Sequence, residues 1–144
     1  MTDASFEKIG RSDKCLYGPR KLLLCGFPID AQSKFKMLLD MLGLKSIPLV
    51  WTGEQDSETR LAELMQRSDG SGEGIPSELP RAIILAGVAE NELHRLMSGC
   101  RQAGMQKSLW ATLTPTSEGW TLGALLTELA AENRAMAART PNRK

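Results

Sequence analysis

Three tryptophans, Trp51, Trp110 and Trp120, stand at or just past the ends of short apolar runs. Tryptophan joins a large apolar face to one N–H donor. Three of them on one edge of a sheet could line a ligand pocket or a partner surface. The plainer reading is that they plug the end of the sheet. Two further positions invite the same question. Gly26 closes the run KLLLCGF and Gly87 closes AIILAGV, and each is soon followed by a polar residue, Asp30 or Asn91. A glycine there could open a phosphate-binding turn with helix N–H groups aimed at an anion. GFPID and GVAEN each carry a single glycine, however, and neither glycine-rich phosphate motif is present. A plain turn is expected.

The remaining reactive side chains point to no chemistry. Glu54, Asp56 and Glu58 could bind a cation or exchange protons, but acidic residues in the first turn of a following helix also favour its positive end. His94 is the one histidine; it lies beside an apolar stripe, with no recognisable orienting partner or nucleophile. Cys25 and Cys100 fall on inferred core positions, where a thiol acts as a small hydrophobe. Cys15 lies near the N-terminus and is the more accessible thiol. No pair of cysteines has CxxC spacing, so neither a disulfide framework nor a zinc site is expected. The expectation is no catalytic residue, no cofactor and no metal.

Composition narrows the partners. The net charge of +1 over 144 residues gives no global field to draw in nucleic acid or an acidic membrane surface. The N-terminus has no apolar core for a secretory signal, and no run is long enough to span a bilayer. The expected address is the cytoplasm, with no nucleic acid and no membrane as partner. The oligomeric state is left open.

The elements that must position these residues come from an internal repeat. Laid on one another without gaps, the halves bring Gly26 onto Gly87 and Gly43 onto Gly104. The same offset brings Leu61 onto Leu122, Leu64 onto Leu125 and Met65 onto Leu126. Each half reads as strand, helix, strand, helix. The glycine-ended run is a strand buried on both faces. Asp30 or Asn91 suits an N-cap. The first helices carry the stripes Ala31, Phe35, Leu38, Leu39, Leu42 and Leu93, Leu96, Met97, Cys100. Gly43 and Gly104 suit helix C-termini. Second strands follow at Ile47–Trp51 and Leu109–Leu113, and second helices at about Ser57–Gln66 and Thr121–Arg134.

The fold expected is α/β, with two βαβα repeats sharing one four-stranded sheet in the order 2-1-3-4 and helices packed on it. Pro48 cannot donate to a central ladder, which puts the second strand at an edge. Parallel central strands would make a small doubly wound sheet; antiparallel ones would make a pseudo-twofold arrangement. The sequence leaves both open. Residues 20–138 form the domain, with halves 21–66 and 81–134 and a flexible connection at 68–80. Residues 1–19 read as a flexible N-terminus and 139–144 as a mobile basic tail, the last helix ending between Glu132 and Arg139.

The run TPTSEGWTLGALLTELAAEN (114–133) resembles the closing motif of an uncharacterised, largely bacterial group, domain-of-unknown-function family 3783. IILAGVAENELHRLM (83–97) and GMQKSLWATLTPT (104–116) are similar to it as well. The resemblance covers the second half, and the first half only through the repeat. It implies a shared architecture that includes Pro115, Trp120 and Leu125, and no activity. The functional expectation is a small non-enzymatic interaction or regulatory domain whose partner is another protein. The alternative is a small-molecule-binding protein or minor enzyme using the crevice at the ends of the central strands. There Gly26 to Asp30 and Gly87 to Asn91 would face each other.

Overall fold

A computed structural model describes residues 14–139. The apolar runs form β1 (Lys21–Cys25) and β3 (Ala82–Ala86), and the second strands are β2 (Leu49–Thr52) and β4 (Leu109–Thr112). The helices are α1 (Ile29–Met41), α2 (Leu61–Leu64), α3 (Glu90–Gln102) and α4 (Leu122–Arg139), with 3-10 turns at Glu54–Asp56 and Ser117–Gly119. The four strands make one mixed sheet in the order β2-β1-β3-β4. Pro48 thus precedes an edge strand, where its carbonyl accepts from the Leu22 N–H and its missing donor goes unused.

Within each half the strands are parallel, and the two halves meet antiparallel through β1 and β3. The pseudo-twofold arrangement is the one formed. The offset that carries Gly26 onto Gly87 also carries the pairs Leu22–Leu49 and Leu23–Val50 onto Ile83–Trp110 and Ile84–Ala111. It carries Ile29 and Met41, the ends of α1, onto Glu90 and Gln102, the ends of α3. Leu23 is paired with its own equivalent, Ile84, and Arg60 bridges to its own equivalent, Thr121. The pseudo-twofold axis therefore runs through both pairs.

Strand alternation sends side chains to two separate cores. On one face Leu22, Leu24, Trp51, Ile83 and Leu85 pack with Phe35 and Leu39 of α1 and Leu96 of α3. On the other, Leu23, Cys25, Val50 and Ile84 pack with Leu61 and Leu64 of α2 and Leu122, Leu125 and Leu126 of α4. Leu96 is 1% exposed and Leu125 is 7% exposed. Truncating Leu125 to alanine is expected to cost about 2–5 kcal/mol in denaturant unfolding; a loss below about 0.5 kcal/mol would show that α4 does not seal this core.

Several expectations are corrected. α1 and α3 begin after Pro28 and Ala89, so Asp30 and Asn91 lie inside the first turn and are not N-caps. Pro28 holds the cap through its fixed φ of −70°, and the Ala89 N–H is satisfied by the Glu92 carboxylate at 2.9 Å. The second helix of the first half shrinks to α2, because Arg60 stays extended to bridge Thr121. Lys21 then closes its other end, Nζ donating to the Met65 and Arg67 carbonyls at 2.8 and 2.5 Å. α4 continues to Arg139, the last described residue, at the far limit of the expected stop.

Residues 14–19 are docked, not frayed: Cys15 bridges to Ala89, Leu16 N–H donates to Val88 O, and Gly87 N–H donates to Tyr17 O. The connection 68–80 is likewise tied down, with Ser71 bridged parallel to Val50 and the Leu49 N–H donating to Asp69 Oδ1. Residues 1–13 and the basic tail beyond Arg139 lie outside the described residues.

Candidate functional site

The antiparallel centre decides the fate of the expected crevice. β1 ends beside the start of β3, since Cys25 pairs with Ala82 and Lys21 with Ala86. Gly26 and Gly87 therefore lie at opposite ends of the sheet and do not face each other. Each turn is filled by the chain itself. Gly26 packs on Leu79 and Arg81, and its N–H donates to Ser77 Oγ at 3.2 Å. Gly87 packs on Gly18, Pro19 and Arg20.

The tryptophans are dispersed too. Trp51 is buried on edge strand β2 between Phe27 and Phe35, its indole Nε1 without a hydrogen-bond partner. Trp110 is half-buried on the opposite edge strand, β4, and Trp120 is exposed after the second 3-10 turn. The acidic cluster is structural: Asp56 caps the Gly53 N–H at 3.0 Å and pairs with Arg67 at 2.9 Å, while Glu54 accepts from the Glu78 N–H. Glu58 and His94 are exposed.

The cysteines divide by burial. Burial pushes the Cys25 thiol up to about 12, opposed by the Thr52 hydroxyl 3.2 Å from its sulfur. Burial likewise pushes the Cys100 thiol up to about 11, opposed by the charge of Arg81. Cys15 is exposed. The folded state favours the neutral thiols, so their contribution is complete below the ordinary thiol value of 9.0 and is lost as pH rises from there toward about 12. Stability should fall over that alkaline range, and Cys25→Ala should flatten the fall. Equal alkaline slopes for the two proteins in urea melts would refute the assignment. At neutral pH iodoacetamide should label Cys15 well ahead of Cys25.

What the fold does bring together is a pair of clefts related by the pseudo-twofold axis. The first, of about 460 Å³, lies between α1 and the α3–β4 loop and is lined by Asp30, Lys34, Met37, Met41, Arg81 and Met105, among others. The second, of about 450 Å³, lies between α3 and the end of α1 and is lined by Asn91, Arg95, Ser98, Gln102 and Leu42, among others. One offset maps Asp30, Lys34, Met37 and Met41 onto Asn91, Arg95, Ser98 and Gln102. The scaffold is shared and the lining is not. At two of these positions the first cleft has methionine, Met37 and Met41, where the second has the polar Ser98 and Gln102.

The charges differ in the same way. Arg20 and Arg81 are equivalent, each following a proline (Pro19, Pro80) and each entering a central strand. Arg20 is held by both Glu92 carboxylate oxygens at 2.6 and 2.9 Å, which raises the Arg20 pKa and lowers that of Glu92. Glu92 is replaced at the equivalent position by Ala31. Arg81 instead donates from Nε to the Gly26 carbonyl at 2.9 Å, and its guanidinium stacks 4.3 Å above the Phe27 ring. It is 9% exposed, and desolvation lowers its pKa, partly offset by the more distant charge of Asp30. Among the described residues, neither Arg81 nor Lys34 has an ion-pair partner.

Arg81, Met37, Met41 and Met105 were not singled out from the sequence. A signal was available: the same offset places Pro19-Arg20 on Pro80-Arg81, and an arginine present in both halves beside a glutamate present in one marks the difference.

Residues 81–136 match the model of a family described as a domain of unknown function, DUF3783, the stretch running from Arg81 into α4. Neither the curated proteins nor the solved structures yield a match.

Proposed function

We propose that this chain, whose residues 81–136 match the DUF3783 model, is a small interaction domain that takes an apolar segment of a partner protein into the cleft between α1 and the α3–β4 loop. One observation carries the reading. Met37 is 65% exposed and Met41 79% exposed on this cleft, where the twofold-equivalent residues are Ser98 and Gln102. Methionine is flexible and polarizable, so a methionine-lined cleft adapts to different apolar side chains, as partner-binding surfaces do. Exposing two large apolar side chains on one helix face has no folding benefit, and the same fold keeps the equivalent face polar. Cys15 is an exposed thiol and no disulfide joins the described cysteines, which agrees with a cytoplasmic setting. The near-neutral net charge favours a protein partner over nucleic acid.

The test uses methyl-labelled methionine and a blocked leucine-alanine-glutamate-alanine-leucine peptide followed by NMR. The Met37, Met41 and Met105 methyls should shift saturably, and the exposed Met136 methyl should not. The double variant M37S/M41Q, which copies the second cleft, should weaken binding by about tenfold or more. Methyl shifts spread evenly over all methionines, or unchanged binding in the double variant, would defeat the reading.

A further inference from the structure

We infer that the partner presents a carboxylate to Arg81, in the place that Glu92 occupies beside Arg20 in the other half; for its occupant this rests on the reading of the cleft just given. The two halves act as each other's control. Both carry an arginine at the same position at the mouth of a central strand. In one half the guanidinium is neutralised within the chain by a two-oxygen contact with Glu92. In the other, the residue that would supply the carboxylate is Ala31, and both Ala31 and Arg81 line the first cleft. One face of the Arg81 guanidinium is covered by Phe27 and its Nε is spent on Gly26, which leaves the two terminal nitrogens for a bidentate acceptor.

A buried arginine without a counter-ion is costly unless something supplies one. Lys34 on the rim adds a second positive charge, while Asp30 on the same helix opposes an incoming anion. Asp30 lies beyond ion-pair distance and does not itself satisfy Arg81. A carboxylate flanked by apolar side chains meets both halves of the lining at once. The guanidinium takes the acid, and the three methionines take its neighbours.

The experiment follows the Arg81 Nε–H resonance and the methionine methyls during titration with the same blocked peptide and with its glutamine counterpart. The glutamate peptide should bind about tenfold or more tightly than the glutamine one and move the Arg81 resonance. Ala31→Glu, which installs the carboxylate of the other half, should abolish that preference, whereas the isosteric Ala31→Gln should keep it and so controls for the buried position. Asp30→Asn, which copies Asn91, should tighten the glutamate peptide only. Equal binding of the two peptides with shifted methionines would overturn the carboxylate inference and leave the interaction reading standing. Hexanoate that moves Arg81 while neither peptide binds would overturn the partner segment as the source of the acid. No preference change in Ala31→Glu would overturn the assignment to Arg81.

Discussion

Gly26→Ala is expected to cost more than about 4 kcal/mol, enough to unfold much of a domain of this size, while Gly104→Ala costs about 1–2 kcal/mol. Both glycines have positive φ, +76° and +71°. What separates them is space. A Cβ on Gly104 meets nothing within 4 Å. A Cβ on Gly26 falls on the Leu79 carbonyl oxygen and lies 2.8 Å from the Arg81 Cα and N. Those are backbone atoms of the segment that leads into β3, and β3 is bonded on both sides. Retreat of that segment would also pull Arg81 off the Gly26 carbonyl and the Phe27 ring. Urea unfolding with the slope checked for two-state behaviour measures both variants. A loss below about 2 kcal/mol for Gly26→Ala would mean that residues 79–81 yield easily and do not fix the arginine.

The one-offset correspondence of the two halves was legible because it resides in residue types, and glycine at a strand end and leucine on a helix stripe are read from the chain alone. The operator relating the halves was not legible. A parallel translation and a twofold rotation satisfy the same string of residues. The choice is made by the connection at 65–81, which is pinned to edge strand β2 by the Ser71–Val50 bridge and then returns beside Gly26. β3 therefore starts where β1 ends, and it must run the other way. That one geometric fact removes the crevice between Gly26 and Gly87 and puts Trp51 and Trp110 on opposite edges of the sheet.

The cleft was missed for a related reason. Met37 and Met41 lie outside the apolar stripe of α1, so by pattern they belong to the solvent face. Only packing of the α3–β4 loop beside them makes that face one wall of a cleft. Arg81 was missed because a single arginine between a proline and a strand has no meaning until its equivalent is seen bound to a glutamate.

Phe35→Ala carries the second large effect, an expected loss of about 3–5 kcal/mol together with disorder in the cleft. Phe35 is fully buried, and its ring sits 5.3 Å from Phe27 at 63° and 6.3 Å from Trp51 at 85°. Phe27 and Trp51 are themselves 5.6 Å apart, edge to face, so the three rings brace one another. Arg81 rests on Phe27, and the cluster thus supports the guanidinium from beneath. The twofold-equivalent of Phe35 is Leu96, an aliphatic side chain buried on the same face of the sheet. Leu96→Ala should cost about 2–5 kcal/mol through lost burial and its cavity, and should leave the Arg81 Nε–H resonance where it is. Phe35→Ala should move or broaden that resonance and weaken the glutamate peptide more than the glutamine one. The comparison separates core loss from loss of support: if both variants shift Arg81 alike, or neither does, the aromatic cluster does not position the guanidinium for its carboxylate.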